Sequence, residues 1–190
     1  MRIEKLRREF GLEVRWIAFP LHTEIPDEGV TLDQLFPGGR YDFKGSSERQ
    51  KDFALKEGLP WSAGEGMVYN STRSQVLSKW AESEGRGEIF HEAAFRATFV
   101  DRLNIAEASV LRKMAETAGL NPENTEKALK DKAYTAAVNA DWDLCRRRGV
   151  TAVPTLSMEG RSISGAQPYE TMQKLVKGKG PQHINGLKMI

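Results

Sequence analysis

Cysteine is almost absent from this chain: 190 residues contain one, Cys145. A lone thiol forms no internal disulfide, supplies no Cys-x-x-Cys redox pair and builds no thiolate metal centre. Histidine is scarce too. His22, His91 and His183 stand far apart with no ligand at metal-site spacing around them, so no metal is expected. Long apolar runs are also missing. Nothing approaches the ~20 consecutive apolar residues of a spanning helix, and the opening Met1 to Arg8 is a charged amphipathic helix rather than the apolar core of a signal peptide. Finally, no charge of one sign dominates. Lys and Arg number 28 against 26 Asp and Glu, interspersed, for a net charge of +2, which argues against a nucleic-acid partner. Together these absences predict a cytoplasmic protein in a reducing compartment, with neither membrane nor nucleic acid as partner.

What is present is an ordinary globular composition, 39% hydrophobic and 28% charged, in a chain long enough for one core with an inserted subdomain. Ile3, Leu6 and Phe10 lie three and four apart, a helical stripe that stops at Gly11. Glu13 to Phe19 then alternates Val14 and Trp16 against Arg15 and reads as a strand. Pro20, Pro26 and Pro37 break the next stretch into loop, with a turn of helix at Leu32 to Phe36. From Ser46 to Arg148 the pattern is helical throughout.

The helix signals in that region are specific. Ser71 or Thr72 can cap a helix carrying Val76, Leu77, Trp80 and Ala81, and Asn104 one carrying Val110, Leu111, Met114 and Ala118. Asn121-Pro122-Glu123 combines cap residue, first-turn proline and first-turn acid. Arg146 to Arg148 close the last helix before Gly149, where cations meet the negative end of the helix dipole, so this basic run is read as structural. Beyond it, Thr155 to Met158 and Arg161 to Ser164 form a hairpin across Glu159-Gly160, and a final helix from Pro168 buries Tyr169, Met172, Leu175 and Val176.

Several apparent motifs carry no chemistry. Gly160 to Ser164 begins like a nucleophile elbow but lacks the closing glycine, and Gly178-Lys179-Gly180 has no feeding strand and no Ser or Thr after the lysine. Asn70-Ser71-Thr72 matches a glycosylation signature without a secretory signal. Trp61, Trp80 and Trp142 are expected to anchor the core. Cys145 sits near the end of its helix on a stripe with Val138, Asp141 and Trp142, where the dipole raises a thiol pKa and the arginines lower it; a buried structural thiol is expected.

The segment Gly149-Val150-Thr151-Ala152-Val153-Pro154-Thr155, with Ser164-Gly165-Ala166-Gln167-Pro168 after it, resembles the DsbA family of thioredoxin-like proteins. The likeness is to its FrnE-like and 2-hydroxychromene-2-carboxylate isomerase-like branch. Trp16 to His22, Ile25 to Gly29, Gly58-Leu59-Pro60 and Asn70 to Arg73 look like further markers of that branch, and in this order the set extends over residues 1 to about 178. The fold implied is α/β: a thioredoxin-like sheet with a large all-helical insertion and its first strand missing. Residues 1–22 and 149–178 would form the thioredoxin-like domain, joined by helix 132–148, with 46–131 as insertion and 179–190 as an unplaced tail.

The resemblance also implies chemistry. In that family the proline after the valine is cis and faces a Cys-x-x-Cys, so Val153 and Pro154 would shape a groove for protein thiols and disulfides or a small thiol compound. No catalytic residue is assigned to this chain and no cofactor, glutathione being a candidate substrate or cosubstrate. His22, Arg73 and Gln167 are candidates for the same groove, with Thr72 beside them; His22 reads first as a hydrogen-bonded loop residue and second as a groove residue. The functional readings are a thiol-disulfide oxidoreductase, a glutathione-dependent isomerase or transferase, and a non-catalytic binding protein that kept the fold.

A missing first strand would leave two strand edges unpaired, because in a thioredoxin-like sheet it lies between the strand of Val14 and that of Thr155. Three remedies are open. The native protein carries the strand and cysteine motif upstream, the two edges close on each other, or a second chain donates a strand and makes a homodimer.

Overall fold

The structure, a computed structural model, describes residues 2–38, 42–63, 66–178 and 187–189. Backbone contacts divide the chain into two units, one of Met1–Phe19 with Asn139–Ile190 and the other of Pro20–Val138. The division falls inside helix α8 (Lys132–Arg147).

The first unit is a mixed sheet with helices packed on it. Helix α1 (Arg2–Phe10) buries Ile3 and Leu6 and ends at Gly11, whose φ of +63° is open to glycine without strain. Strand β1 (Val14–Trp16) follows, shorter than the expected Glu13 to Phe19. The reason is local: the N–H of Ala18 donates to Asp141 Oδ2 at 3.0 Å, so that backbone donor serves a carboxylate instead of a strand partner. After α8 come strand β4 (Thr155–Met158) and strand β5 (Arg161–Ser164), paired antiparallel with Thr155 opposite Ser164. Their turn, Glu159 at φ +48° and Gly160 at φ +81°, has the doubly positive form that suits the twist of a two-residue hairpin.

Helix α9 (Tyr169–Lys177) buries Met172, Leu175 and Val176 in a core shared with Ile3, Leu6, Leu12, Leu156 and Met158. It is tied to α1 by Glu9, which accepts from Gln173 Nε2 at 2.8 Å and from the Tyr169 hydroxyl. A smaller apolar cluster joins Ile17 and Cys145 with Phe19, Leu144 and Val150.

The tail expected over residues 179–190 lies outside the described residues except for strand β6 (Leu187–Met189), and that strand has a definite place. Sheet order is β1-β6-β4-β5. β6 runs parallel to β1, with Val14 opposite Leu187 and Trp16 opposite Met189, and antiparallel to β4, with Leu156 opposite Met189. The edges of β1 and β4 thus neither stand unpaired nor pair with each other. The chain's own C-terminal strand takes the position expected for the missing first strand.

The second unit is mostly helical. Helix α2 (Leu32–Leu35) starts with a capping box in which the Thr31 hydroxyl accepts from the N–H of Gln34 and the Gln34 side chain accepts from the N–H of Thr31. Helices α3 (Phe43–Lys56), α4 (Thr72–Ser83), α5 (Gly87–Phe99), α6 (Ala108–Thr117) and α7 (Thr125–Lys130) follow, with a 3₁₀ turn at Pro122–Asn124 capped by Asn121. Leu77, Trp80, Phe90, Leu111 and Met114 form its core.

Three expectations need correction here. The stretch from Ser46 to Arg148 is not helical throughout: Met67–Val68 (β3) pairs antiparallel with Val30–Thr31 (β2), a ladder too short to leave a periodicity. Neither Ser71 nor Thr72 caps α4 through its side chain; Asn70 Oδ1 accepts the N–H of Thr72 at 2.8 Å, while Nδ2 donates to the carbonyl of Ile25 at 2.6 Å. Asn104 serves the turn before α6, accepting the N–H of Ala106 at 2.9 Å and donating to the carbonyl of Asp27 at 2.8 Å.

Candidate functional site

The loop between α8 and β4 is the feature that the sequence singled out, and it is held from both ends. The helix stops when the N–H groups of Gly149 and Val150 close on the carbonyls of Arg146 and Cys145 at 3.1 and 3.0 Å. Thr151 to Pro154 are exposed, Val153 at 39%, whereas every residue of β4 is buried. The Val153–Pro154 peptide bond is cis.

Hydroxyls and amides fix the far side of the loop. Thr155 Oγ1 donates to the carbonyl of Ala152 at 2.7 Å and lies 2.9 Å from Ser164 Oγ. The N–H of Gly165 donates to the carbonyl of Pro154 at 2.8 Å. Gln167 Nε2 donates to the carbonyl of Ser164 at 2.6 Å, and Arg2 Nη1 donates to the carbonyl of Gln167 at the same distance. The two segments of the family-like pattern, 149–155 and 164–168, therefore form one hydrogen-bonded structure. Arg148 Nη1 reaches Ser157 Oγ at 3.2 Å and attaches the helix end to β4.

Val153, Pro154 and Gln167 belong to the first unit, His22 and Arg73 to the second. His22 adopts φ +52°, places its Nδ1 3.3 Å from Glu24 Oε1 and sets its ring edge-on to Phe36, with centroids 5.7 Å apart. Arg73 donates to the carbonyl of Ala106 at 2.7 Å and lies 3.7 Å from Asp27 and 3.5 Å from Glu126. Contacts inside their own unit thus account for both side chains. Thr155, Ser164, Gly165 and Arg2 support the loop through contacts that the sequence pattern does not specify. The family-like segments 149–155 and 164–168 signal Thr155, Ser164 and Gly165, whereas nothing in the sequence signals Arg2.

Cys145 is buried at 1% exposure, its Sγ 3.5 Å from the carbonyl of Ala18. Burial pushes the thiol pKa up, and the Asp141 carboxylate adds to this, while Arg146 and Arg148 pull it down. Asp141, itself 2% exposed, also pairs with Arg15 Nη2 at 3.2 Å. A thiol with a raised pKa and no second cysteine is a poor nucleophile and cannot resolve a mixed disulfide. Trp61 is not a core anchor: it stacks on Phe99, centroids 5.8 Å apart, with the Arg102 guanidinium 4.4 Å from its ring. Among the described residues no three His, Cys, Asp or Glu side chains gather as metal ligands, and no helix is long and apolar enough to cross a membrane.

Known proteins resemble this arrangement. A crystal structure described as a "probable DsbA oxidoreductase" from Streptomyces coelicolor superposes with a TM-score of 0.81, at 26% identity, over 96% of this chain and 85% of that one. A 2-hydroxychromene-2-carboxylate isomerase superposes with a TM-score of 0.67 at 20% identity, over 93% of this chain and 84% of its own, a likeness of fold. In sequence, the ClpXP adapter protein SpxH of Bacillus subtilis is 24% identical over 129 residues, 63% of this chain and 43% of the adapter. The chain spans about half the length of the curated relatives it matches. The profile of the DsbA-like thioredoxin domain matches residues 1–177, and the chain belongs to that family.

Proposed function

We propose that this chain is a binding protein of the thiol-disulfide oxidoreductase class, whose groove at Ala152 to Pro154 receives a protein thiol or disulfide, or a small thiol compound such as glutathione. The observation that carries this reading is the exposed loop on a braced frame. Thr151 to Pro154 face solvent while Thr155 and Gly165 hold the backbone behind them. An extended ligand meets main-chain groups already positioned and loses little freedom on the protein side. The likeness to a DsbA oxidoreductase supports the ligand class.

The residues of this chain bind and orient; they do not exchange electrons. Cys145, the one thiol, is buried and disfavoured as thiolate, so redox turnover at the groove needs a thiol pair that this sequence does not hold. Gln167 supports the groove through Ser164, and His22 and Arg73 are assigned to it only as candidates. Calorimetric titration with glutathione and with an extended cysteine-containing peptide tests the reading. Saturable binding that Val153→Glu weakens at least tenfold is expected. Binding that Val153→Glu leaves unchanged, or no binding at millimolar ligand, overturns it.

A second reading is favoured by one relative. An adapter that presents another protein needs a docking surface and no nucleophile, and the SpxH likeness extends over 63% of this chain. Binding of a cysteine-free peptide as tight as that of its cysteine-containing counterpart would select this reading over the thiol-binding one.

A further inference from the structure

The sheet of the first unit contains a strand that the rest of its topology did not supply. β1 and β4 come from distant parts of the chain, and β6 lies between them, making a ladder with each: Val14, Arg15 and Trp16 on one side, Leu156 and Ser157 on the other. β6 is three residues long, whereas β4 pairs with β5 over four. Residues 179–186 separate it from the end of α9 at Gly178. Its hold on the sheet is thus a short two-sided ladder.

We propose that the slot between β1 and β4 is a strand-acceptor site, filled within the chain by Leu187–Met189 and open between chains to the same segment of a second copy. The register fits this occupant, since the backbone positions that receive Leu187, Lys188 and Met189 are identical in every copy. Each copy carries one donor strand and one slot, so reciprocal exchange satisfies both and closes a two-fold dimer in which the facing edges of β1 and β4 are paired in each copy. Exchange within and between chains makes the same hydrogen bonds. The choice is therefore set by the effective concentration of the strand within its own chain against the concentration of the second copy. The inference does not depend on what the Ala152 to Pro154 loop binds.

Lys188→Pro tests it, because proline at the middle of a three-residue strand removes a ladder donor and weakens the internal occupant. A fluorescent synthetic peptide of residues 183–190 stands in for the donor of the second copy. The full-length Lys188→Pro chain should bind it saturably and at least tenfold more tightly than the unsubstituted chain, in which the internal strand competes. In hydrogen exchange, the amides of β1 and of Leu156 and Ser157 should be faster in the variant than in the unsubstituted chain, and slow again when peptide is added. Equal affinity for both chains, or no binding by either, overturns the proposal. If the variant does not fold, the unsubstituted chain decides by sedimentation: dimer growing between micromolar and millimolar protein supports exchange, and monomer throughout that range contradicts it.

Discussion

The two units are built from opposite kinds of contact. Pro20–Val138 is a continuous stretch whose core, Leu77, Trp80, Phe90, Leu111 and Met114, comes from helices that follow one another along the chain. The sheet unit is assembled from both chain ends: α1 packs with α9, and β1 pairs with β6 across more than 170 positions. The helical unit therefore announces itself through local periodicity and caps, whereas the sheet unit depends on pairings that no local pattern encodes. The candidate loop lies in the second kind of structure.

The largest effect expected is from cavities in each core. Leu111→Ala and Leu6→Ala both remove a fully buried side chain and should each cost about 2–5 kcal/mol. In residue-resolved hydrogen exchange, Leu111→Ala should speed the amides of α4 to α6 and leave β4 and β5 unchanged, with the reverse for Leu6→Ala. Equal acceleration everywhere would break the comparison.

A pH effect belongs to the helical unit. Burial holds the His91 imidazole down at about 4, from an ordinary 6.5. Between those values the unfolded chain takes up the proton and the folded chain does not, so the stabilisation is complete above pH 6.5 and is lost as pH falls toward 4. The loss approaches about 3 kcal/mol at the acid end. Urea unfolding at pH 7 and pH 5 should show it, and His91→Gln should flatten the difference.

In the sheet unit the corresponding buried group is Asp141. Asp141→Asn removes the charge facing Arg15 and weakens acceptance of the Ala18 N–H, at a cost of about 1–3 kcal/mol by denaturant melt. It also removes one of the influences that raise the Cys145 thiol pKa. More thiolate then exists at a given pH, and alkylation at pH 8 under native conditions should be faster than in the unsubstituted chain. The smallest effect is expected at the hairpin turn. A side chain at Gly160 meets no neighbour, so Gly160→Ala costs only the strain of φ +81°, about 1 kcal/mol by thermal melt.

The fold was legible mainly through its order of elements and through residues whose role is local. Glu159-Gly160 reads as a hairpin, Asn121-Pro122 as a cap and the Ile3, Leu6, Phe10 stripe as a helix because each signal lies within a few positions of its effect. β6 was not legible: three residues carry no periodicity, and one of its two partner strands is at the other end of the sequence. Asn70 carries a glycosylation signature in the sequence, while its cap over Thr72 depends on a loop that bends back to Ile25. At the candidate site, Val153 and Pro154 stood out by pattern. The partners of Arg73, Asp27 and Glu126, lie 46 and 53 positions away, beyond any spacing rule.

The most direct test of the account is an amide NMR titration of the full chain with glutathione and the cysteine-containing peptide. The account predicts saturable shifts centred on Ala152, Val153 and Gly165, with the amides around Cys145 following only weakly. Saturable shifts elsewhere with these three unmoved would contradict it, because the loop braced by Thr155 and Gly165 would then not be the binding site.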